Sequence, residues 1–191
     1  ANIEAAARAA AFGKFLHQGQ ICMALNRIIV VEAVYDEFVE AFTEVVRGLK
    51  TGDPSDPETF VGPLINNKQI ARIQRLIDQS IEKGAEYALQ GEVKGNVLAP
   101  TILTNVTNDM PIAQNEIFGP VAPIIKAEDE AEAVHIANDS PYGLSGSVFT
   151  EDLYRGVEVA KKVKTGMIHV NDQSVNDEAH VPFGGEKASG V

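Results

Sequence analysis

The chain has 191 residues, of which 45% are hydrophobic and 6% aromatic, so it is long enough to bury the core of one globular domain. Its net charge of -11 argues against a nucleic-acid backbone or an anionic membrane surface as partner, because both require clustered Lys and Arg, and a small molecule is the expected ligand. The single cysteine cannot form an internal disulfide and no apolar run is long enough to span a bilayer, so we expect a cytoplasmic protein.

The first half of the chain predicts three helices and one strand. An Ala-rich stretch to about Gln18 is typical of a helix that leads into a glycine turn, and the β-branched run from Arg27 to Val31 predicts a strand. Asn66 or Asn67 can cap the third helix. Apolar side chains at helical spacing mark the second and third helices: Phe38, Phe42, Val45 and Leu49 in one, and Ile70, Ile73, Ile77 and Ile81 in the other.

The second half alternates strands with helices. Val121 to Ile125 is a continuous apolar run, as expected for a strand that is covered on both faces, and a helix is predicted over 128–138. Thr150 is a candidate N-cap for a helix through Ala160. Further strands are predicted over 87–89, 101–103, 144–149 and 166–171. The pattern predicts the α/β class: residues 1–191 form a single three-layer domain with a mostly parallel sheet flanked by helices.

Two kinds of ligand site have no signature in the sequence. No G-x-G-x-x-G lies between a strand and a helix, and no Gly-Lys-Ser/Thr loop occurs, so a dinucleotide would have its main binding domain elsewhere. The four histidines have no metal-ligand spacing, and we predict no metal site.

Cys22 lies in the segment Gln18-Gly19-Gln20-Ile21-Cys22-Met23. A thiol after a glycine turn, between two apolar residues, suits a nucleophile, because apolar walls exclude water and backbone amides at the turn can stabilise an oxyanion. The alternative is a small buried core residue, which is what most free cysteines are. Read alone, the segment favours the core residue.

Glu116 and Phe118 lie one residue apart in Asn115-Glu116-Ile117-Phe118-Gly119-Pro120. In an extended segment their side chains share a face, so a sugar hydroxyl could bind Glu116 while a flat ring contacts Phe118. The alternative is a turn with a solvated Glu116 and a Phe118 in the core. Without other information, the turn is favoured.

The segment Val181-Pro182-Phe183-Gly184-Gly185 follows a predicted strand that ends at Asn171. Two glycines after an aromatic residue permit backbone conformations that suit a loop packed round a ligand or another chain. A structural turn would have the same composition.

These motifs, in this order, resemble the aldehyde dehydrogenase superfamily over essentially the whole chain. Gly19-Gln20-Ile21-Cys22 is similar to the active-site cysteine signature of that superfamily, and Asn115–Pro120 to its Glu-x-Phe-Gly-Pro segment. Pro141-Tyr142-Gly143-Leu144 resembles its helix-to-strand link. Residues 166–171 with 182–185 resemble its closing strand and loop.

The resemblance implies a role for several residues. Cys22 would be the thiolate that adds to the aldehyde carbonyl, and its backbone N–H would supply part of the oxyanion hole. Glu116 and Phe118 would hold the nicotinamide ribose and ring region of NAD or NADP, and Gln69 lies where the family often places another cofactor contact. The aldehyde pocket would involve Ile21, Met23, Val175 and Phe183.

The run from Asp177 to Pro182 resembles enzymes that act on aromatic aldehydes such as benzaldehyde, salicylaldehyde or vanillin. By the same resemblance, the family's general-base Glu, oxyanion Asn and Gly-Ser-Thr cofactor loop belong upstream of Ala1. We therefore expect a fragment that does not by itself oxidise aldehydes with NAD, and a homo-oligomer, a dimer or a tetramer, at full length.

Three other functions stay open. One is a dehydrogenase of the acylating type, in which coenzyme A instead of water takes the acyl group. Another is a cysteine hydrolase that pairs Cys22 with a histidine, although no known Cys-His signature occurs. The third is a non-catalytic oligomerisation or binding domain.

Overall fold

The computed structural model describes residues 1–190 and contains six α-helices and ten strands within them. The helices are α1 (Ile3–Phe15), α2 (Tyr35–Arg47), α3 (Asn67–Ile81), α4 (Pro111–Gln114), α5 (Glu130–Asn138) and α6 (Leu153–Ala160). The strands are β1 (Ile28–Val31), β2 (Glu86–Leu89), β3 (Val93–Lys94), β4 (Val97–Leu98), β5 (Thr101–Thr104), β6 (Val121–Ala127), β7 (Tyr142–Gly143), β8 (Ser145–Val148), β9 (Met167–Val170) and β10 (Glu186–Lys187). In this part of the chain, no helix is both long enough and apolar enough to cross a membrane.

The central sheet has the strand order β1-β6-β5-β2. β6 pairs in parallel with β1 on one side, where Ile28 lies opposite Ile124, and with β5 on the other, where Thr101 lies opposite Val121. Only the edge strand β2 runs antiparallel to its neighbour. The predicted mostly parallel sheet is therefore confirmed.

The sheet separates two hydrophobic cores, which accounts for the unbroken apolar run in β6. Ile124 packs with Phe15 of α1 and Phe42 of α2 on one face. Its neighbour Ile125 packs on the other face in the core that holds Ile73 of α3. Because successive side chains of a strand point to opposite faces, a strand covered on both sides needs apolar residues at every position. The three-layer arrangement agrees with the prediction.

Of the two helix caps predicted from the sequence, one is confirmed and one is wrong. Asn66 caps α3, since its side chain accepts a hydrogen bond from the backbone N–H of Gln69 at 3.0 Å. The predicted cap of α6, Thr150, is wrong, because Asp152 accepts from the N–H of Arg155 and is the N-cap. The Thr150 hydroxyl instead accepts from the N–H of Asp152, a bond that closes a turn before the helix.

A smaller parallel pair, β8 with β9, lies outside the central sheet and packs against α6. Residues 28–31 of β1 and 145–148 of β8 line the same cleft. The short antiparallel pairs β3–β4 and β7–β10, and the single-turn helix α4, had not been predicted. This arrangement places the cleft at the free edge of β1, directly after the Cys22 segment.

Candidate active site

The Cys22 segment is a tight turn between α1 and β1. The predicted first helix ends at Phe15, three residues earlier than expected, and His17, Gln18 and Gly19 then adopt left-handed conformations. The backbone N–H of Ala24 donates to the carbonyl of Ile21 at 3.0 Å, which places Cys22 at the centre of the turn. Its thiol is exposed, so the interpretation of Cys22 as a core residue is wrong. The expected exclusion of water by apolar walls is also absent within residues 1–190.

A cleft of about 720 Å³ brings the two main sequence motifs together. Ile21 and Cys22 line it from the turn, and Glu116 and Phe118 line it from the segment between α4 and β6. Glu116 is half-buried and the Phe118 side chain is 37% exposed, whereas Ile117 between them is fully buried. The assignment of Phe118 to the core is therefore wrong, because Ile117 is the core residue and turns its neighbours toward the cleft.

Two glycines allow the motifs to approach each other. A Cβ at Gly19 would lie 2.5 Å from the carbonyl oxygen of Gly119, and the φ of Gly19 is +69°. Both the close contact and the left-handed backbone require glycine at this position. The turn and the Glu116–Gly119 segment thus meet through their backbones.

Gln69, the third predicted cofactor contact, does not line the cleft. Its side-chain oxygen accepts a hydrogen bond from Nε of Arg72 at 3.0 Å. The same guanidinium donates to the carbonyl of Ile117 at 2.5 Å. Gln69 is therefore connected to the Glu116–Phe118 segment through Arg72.

The other predicted pocket residues lie at the margin of the site. Met23 and Val175 are half-buried and Phe183 is 55% exposed, and none of the three lines the cleft. The structure does connect the Val175 loop to the turn, because the hydroxyl of Ser174 donates to the carbonyl of Met23.

Lys14 was not selected from the sequence. It lies on the last turn of α1, its side chain is 1% exposed, and it lines the cleft with Ala6 and Ala10. Burial lowers the pKa of its ammonium group to about 7, because a charged amine is poorly solvated there. One sequence signal could have identified it. Lys14 follows Ala6 and Ala10 at intervals of four residues, which places it on the same, apolar face of the helix.

Arg27 links the turn to α5. Its guanidinium donates to the carbonyls of Ile136 at 2.7 Å and of Ala137 at 3.1 Å, at the end of that helix. Burial lowers the pKa of Arg27, and the nearby Asp139 carboxylate partly opposes the shift. A cation at the carboxyl end of a helix is favourable, so Arg27 anchors the segment that follows Cys22.

Comparison with known proteins gives a consistent result. The family model described as "Aldehyde dehydrogenase family" matches residues 1–191. The chain is 51% identical to benzaldehyde dehydrogenase YfmT of Bacillus subtilis and 49% identical to vanillin dehydrogenase of Corynebacterium glutamicum, over 100% of its own length and 39% and 40% of theirs. It superposes on a salicylaldehyde dehydrogenase from Pseudomonas putida G7 complexed with salicylaldehyde with a TM-score of 0.97 and 43% identity, covering 100% of this chain and 40% of that one.

The match of the family model over the whole chain agrees with the ordered motifs, the three-layer fold and the shared cleft. The chain spans about two fifths of the length of these relatives. It belongs to the aldehyde dehydrogenase family.

Proposed function

We propose that the full-length protein is an NAD(P)-dependent aldehyde dehydrogenase that oxidises an aldehyde to a carboxylic acid, with Cys22 as the nucleophile. One observation carries this proposal: the exposed Cys22 thiol opens into the same cleft as Glu116 and Phe118. Hydride can pass from an aldehyde bound to Cys22 to a cofactor held by Glu116 and Phe118 only if both are bound in the same cleft.

The chemistry at Cys22 has three steps. Its thiolate adds to the carbonyl carbon, which forms a C–S bond and places the electron pair of the carbonyl on oxygen as a thiohemiacetal. When bound, the nicotinamide cofactor supplies the hydride acceptor, so that the thiohemiacetal is oxidised to a thioester. Water then adds to the thioester, the C–S bond breaks, and the acid leaves the regenerated thiolate.

The backbone at Cys22 suits the developing oxyanion. Within residues 1–190, the backbone N–H of Cys22 donates to no backbone or side-chain acceptor. A donor left free in a turn beside the nucleophile can bind the thiohemiacetal oxygen. A second donor and the base that activates water would come from the part of the protein outside this chain.

Glu116 and Phe118 fit the cofactor's ribose and ring. The carboxylate accepts hydrogen bonds from sugar hydroxyls, and the exposed ring offers a flat apolar surface beside it. Gln69 contributes through Arg72 and the carbonyl of Ile117. The choice between NAD and NADP depends on residues outside the chain.

The expected substrate is an aromatic aldehyde. The relatives named benzaldehyde, vanillin and salicylaldehyde dehydrogenases support this choice, as does the resemblance of the Asp177–Pro182 run. We place the ring of the aldehyde against Ile21 and Met23 at the turn, with Val175 and Phe183 closing the pocket at its outer margin.

The test uses the full-length enzyme and three aldehydes: benzaldehyde, vanillin and hexanal. Cys22→Ala should abolish NADH or NADPH formation while the cofactor still binds, and the aromatic substrates should have the higher kcat/KM. Accumulation of acyl-CoA on addition of coenzyme A would instead identify the acylating type. Retention of dehydrogenase activity in Cys22→Ala would refute the proposal, and the isolated 191-residue chain should form no NADH.

The hydrolase and binding-domain alternatives have their own discriminating results. No histidine side chain of residues 1–190 forms a hydrogen bond with the Cys22 thiol, which disfavours a Cys-His dyad. Loss of Cys22 alkylation in a single histidine variant would favour that dyad. A binding domain would keep its function in Cys22→Ala.

A further inference from the structure

Asn26 makes two hydrogen bonds to the backbone on either side of Glu116. Its Nδ2 donates to the carbonyl of Asn115 at 2.8 Å, and its Oδ1 accepts from the N–H of Ile117 at 3.0 Å. A side-chain amide presents a donor and an acceptor side by side, as a peptide group does. Asn26 therefore pairs with this segment as a neighbouring strand would.

The segment held by Asn26 has little regular structure of its own. Residues 115–118 lie between α4 and β6 and belong to no strand, and Phe118 has a φ of +46°, in the left-handed region. That conformation is unfavourable for a bulky residue and persists only where surrounding contacts impose it. The bonds of Asn26, with the Arg72 bond to the carbonyl of Ile117, are such contacts.

The part of the chain that carries Asn26 is anchored independently. The N–H of Leu25 donates to the carbonyl of Gly13 at 3.3 Å, and Arg27 binds the carbonyls at the end of α5. We therefore expect the turn around Cys22 (residues 21–24, the nucleophile turn) to keep its place without Asn26. The segment around Glu116, in contrast, loses the bonds that Asn26 makes to Asn115 and Ile117. The expected effect of removing Asn26 falls on Glu116 and Phe118, not on Cys22.

We propose that Asn26 is a positioning residue that fixes the Glu116–Phe118 segment against the nucleophile turn and so sets the affinity for the nicotinamide cofactor. Because residues 115 and 117 are both held, the direction in which Glu116 projects between them is fixed. This inference rests on the proposed cofactor role of Glu116 and Phe118. It assigns to Asn26, which also lines the cleft, an effect that acts through the backbone of this segment.

The experiment measures cofactor binding in the full-length enzyme by calorimetry, with NAD and NADP titrated separately. Asn26→Ala should raise the Kd of the preferred cofactor about tenfold, as expected for a misplaced contact. Asn26→Asp keeps the size of the side chain but loses the donor to Asn115, and it should raise Kd in the same direction. In both variants, alkylation of Cys22 by iodoacetamide without cofactor should stay within about twofold of the wild-type rate.

Asn96→Ala is the matched control. Asn96 also donates from Nδ2 to a backbone carbonyl, that of Leu64 at 3.2 Å, but away from the cleft. It should leave the cofactor Kd unchanged even if the thermal midpoint falls. If both Asn26 variants lower the midpoint and leave Kd unchanged, Asn26 is only structural and the inference is wrong.

The variant Glu116→Gln distinguishes a failure of this inference from a failure of the proposed function. A raised Kd in Glu116→Gln with an unchanged Kd in the Asn26 variants refutes positioning by Asn26 alone. An unchanged Kd in Glu116→Gln and in Phe118→Ala refutes the cofactor role of the segment and, with it, this inference. A raised Kd in all of these variants supports both.

Discussion

The hydroxyl of Ser174 donates a hydrogen bond to the carbonyl of Met23 at 2.7 Å, which joins residues 151 positions apart in the chain. Ser174 is fully buried, and its own carbonyl accepts a hydrogen bond from the hydroxyl of Ser145 at 2.7 Å. The loop that holds Val175 is thereby connected both to β8 and to the nucleophile turn. The bond holds the carbonyl of the residue that directly follows Cys22.

Replacement of Ser174 by Ala should impair the attack of Cys22 on the aldehyde more than it impairs folding. The Met23 carbonyl loses its donor, so the adjacent Cys22 N–H and thiol are less well positioned for attack. In the full-length enzyme we expect kcat/KM for the aldehyde to fall about tenfold or more. Steady-state kinetics with benzaldehyde, together with the amplitude and rate of the NADH burst, measure the effect.

Ser80→Ala is the corresponding control. Ser80 is equally buried and donates to the carbonyl of Leu76 at 2.8 Å, but it lies in α3 with its hydroxyl bonded to the N–H of Ile112. Its replacement should cost about 1–3 kcal/mol of stability and leave kcat/KM unchanged. Equal losses of activity in the two variants, in proportion to their losses of stability, would contradict a special role for Ser174.

Gly19→Ala should be far more damaging than Gly95→Ala, although both glycines have a left-handed φ, +69° and +63°. A Cβ at Gly95 meets no atom within 4 Å, so alanine there costs only the backbone strain of about 1–2 kcal/mol. At Gly19 the Cβ would also collide with the carbonyl of Gly119, which adds about 1–3 kcal/mol. Urea unfolding of both variants tests this difference, and equal free energies of unfolding would contradict it.

The sequence predicted those parts of the fold whose signals are local. α3 is an example, because its apolar stripe and its cap at Asn66 lie within a few residues of each other. β6 is another, since five successive apolar residues indicated a strand covered on both faces. The β3–β4 hairpin turns at Gly95-Asn96, a pair typical of two-residue hairpins, but strands of two residues are too short to show an alternating pattern. The single-turn helix α4 is likewise too short for a helical period to be recognised.

The residues of the candidate site could be predicted only where they belong to a recognisable sequence motif. Cys22, Glu116 and Phe118 were selected by the order of their motifs, and they do line one cleft. Asn26 and Ser174 belong to no motif, and the partners that their side chains bind lie 89 to 151 positions away. A single polar residue has no periodicity, so only the folded chain reveals what it binds.

Thr43→Val should stabilise the chain. Thr43 is 7% exposed within α2, and among residues 1–190 its buried hydroxyl has no hydrogen-bond partner. Valine has nearly the same shape and removes the cost of desolvating that hydroxyl, which is about 1–2 kcal/mol. A rise in the urea midpoint at an unchanged slope measures the gain. Thr104→Val is the control. The Thr104 hydroxyl is exposed and already donates to the carbonyl of Glu86, so its removal should give no such rise.

Lys14 should make the stability of the 191-residue chain depend on pH above neutrality. Its pKa is about 7 in the folded chain, below the ordinary value of 10.5 that applies after unfolding. Between these values the unfolded chain binds a proton that the folded chain lacks, so stability rises with pH, by up to about 1.4 kcal/mol per unit. Below about pH 7 the amine is charged in both the folded and the unfolded chain, so the free energy of unfolding is lowered by the full cost of burying that charge.

Lys14→Met removes the titrating group while keeping a long unbranched side chain in the same space. The variant should be more stable than the parent at pH 7, because no charge is buried, and its advantage should shrink as the pH approaches 9, because the parent amine is then neutral when folded. Urea unfolding at pH 7, 8 and 9 measures the difference, from which the contributions of all other titrating groups cancel. Lys68→Met, on an exposed side chain of α3, is the control and should give no pH-dependent difference. A Lys14→Met advantage that stays constant from pH 7 to 9 would show that the amine does not change its charge there.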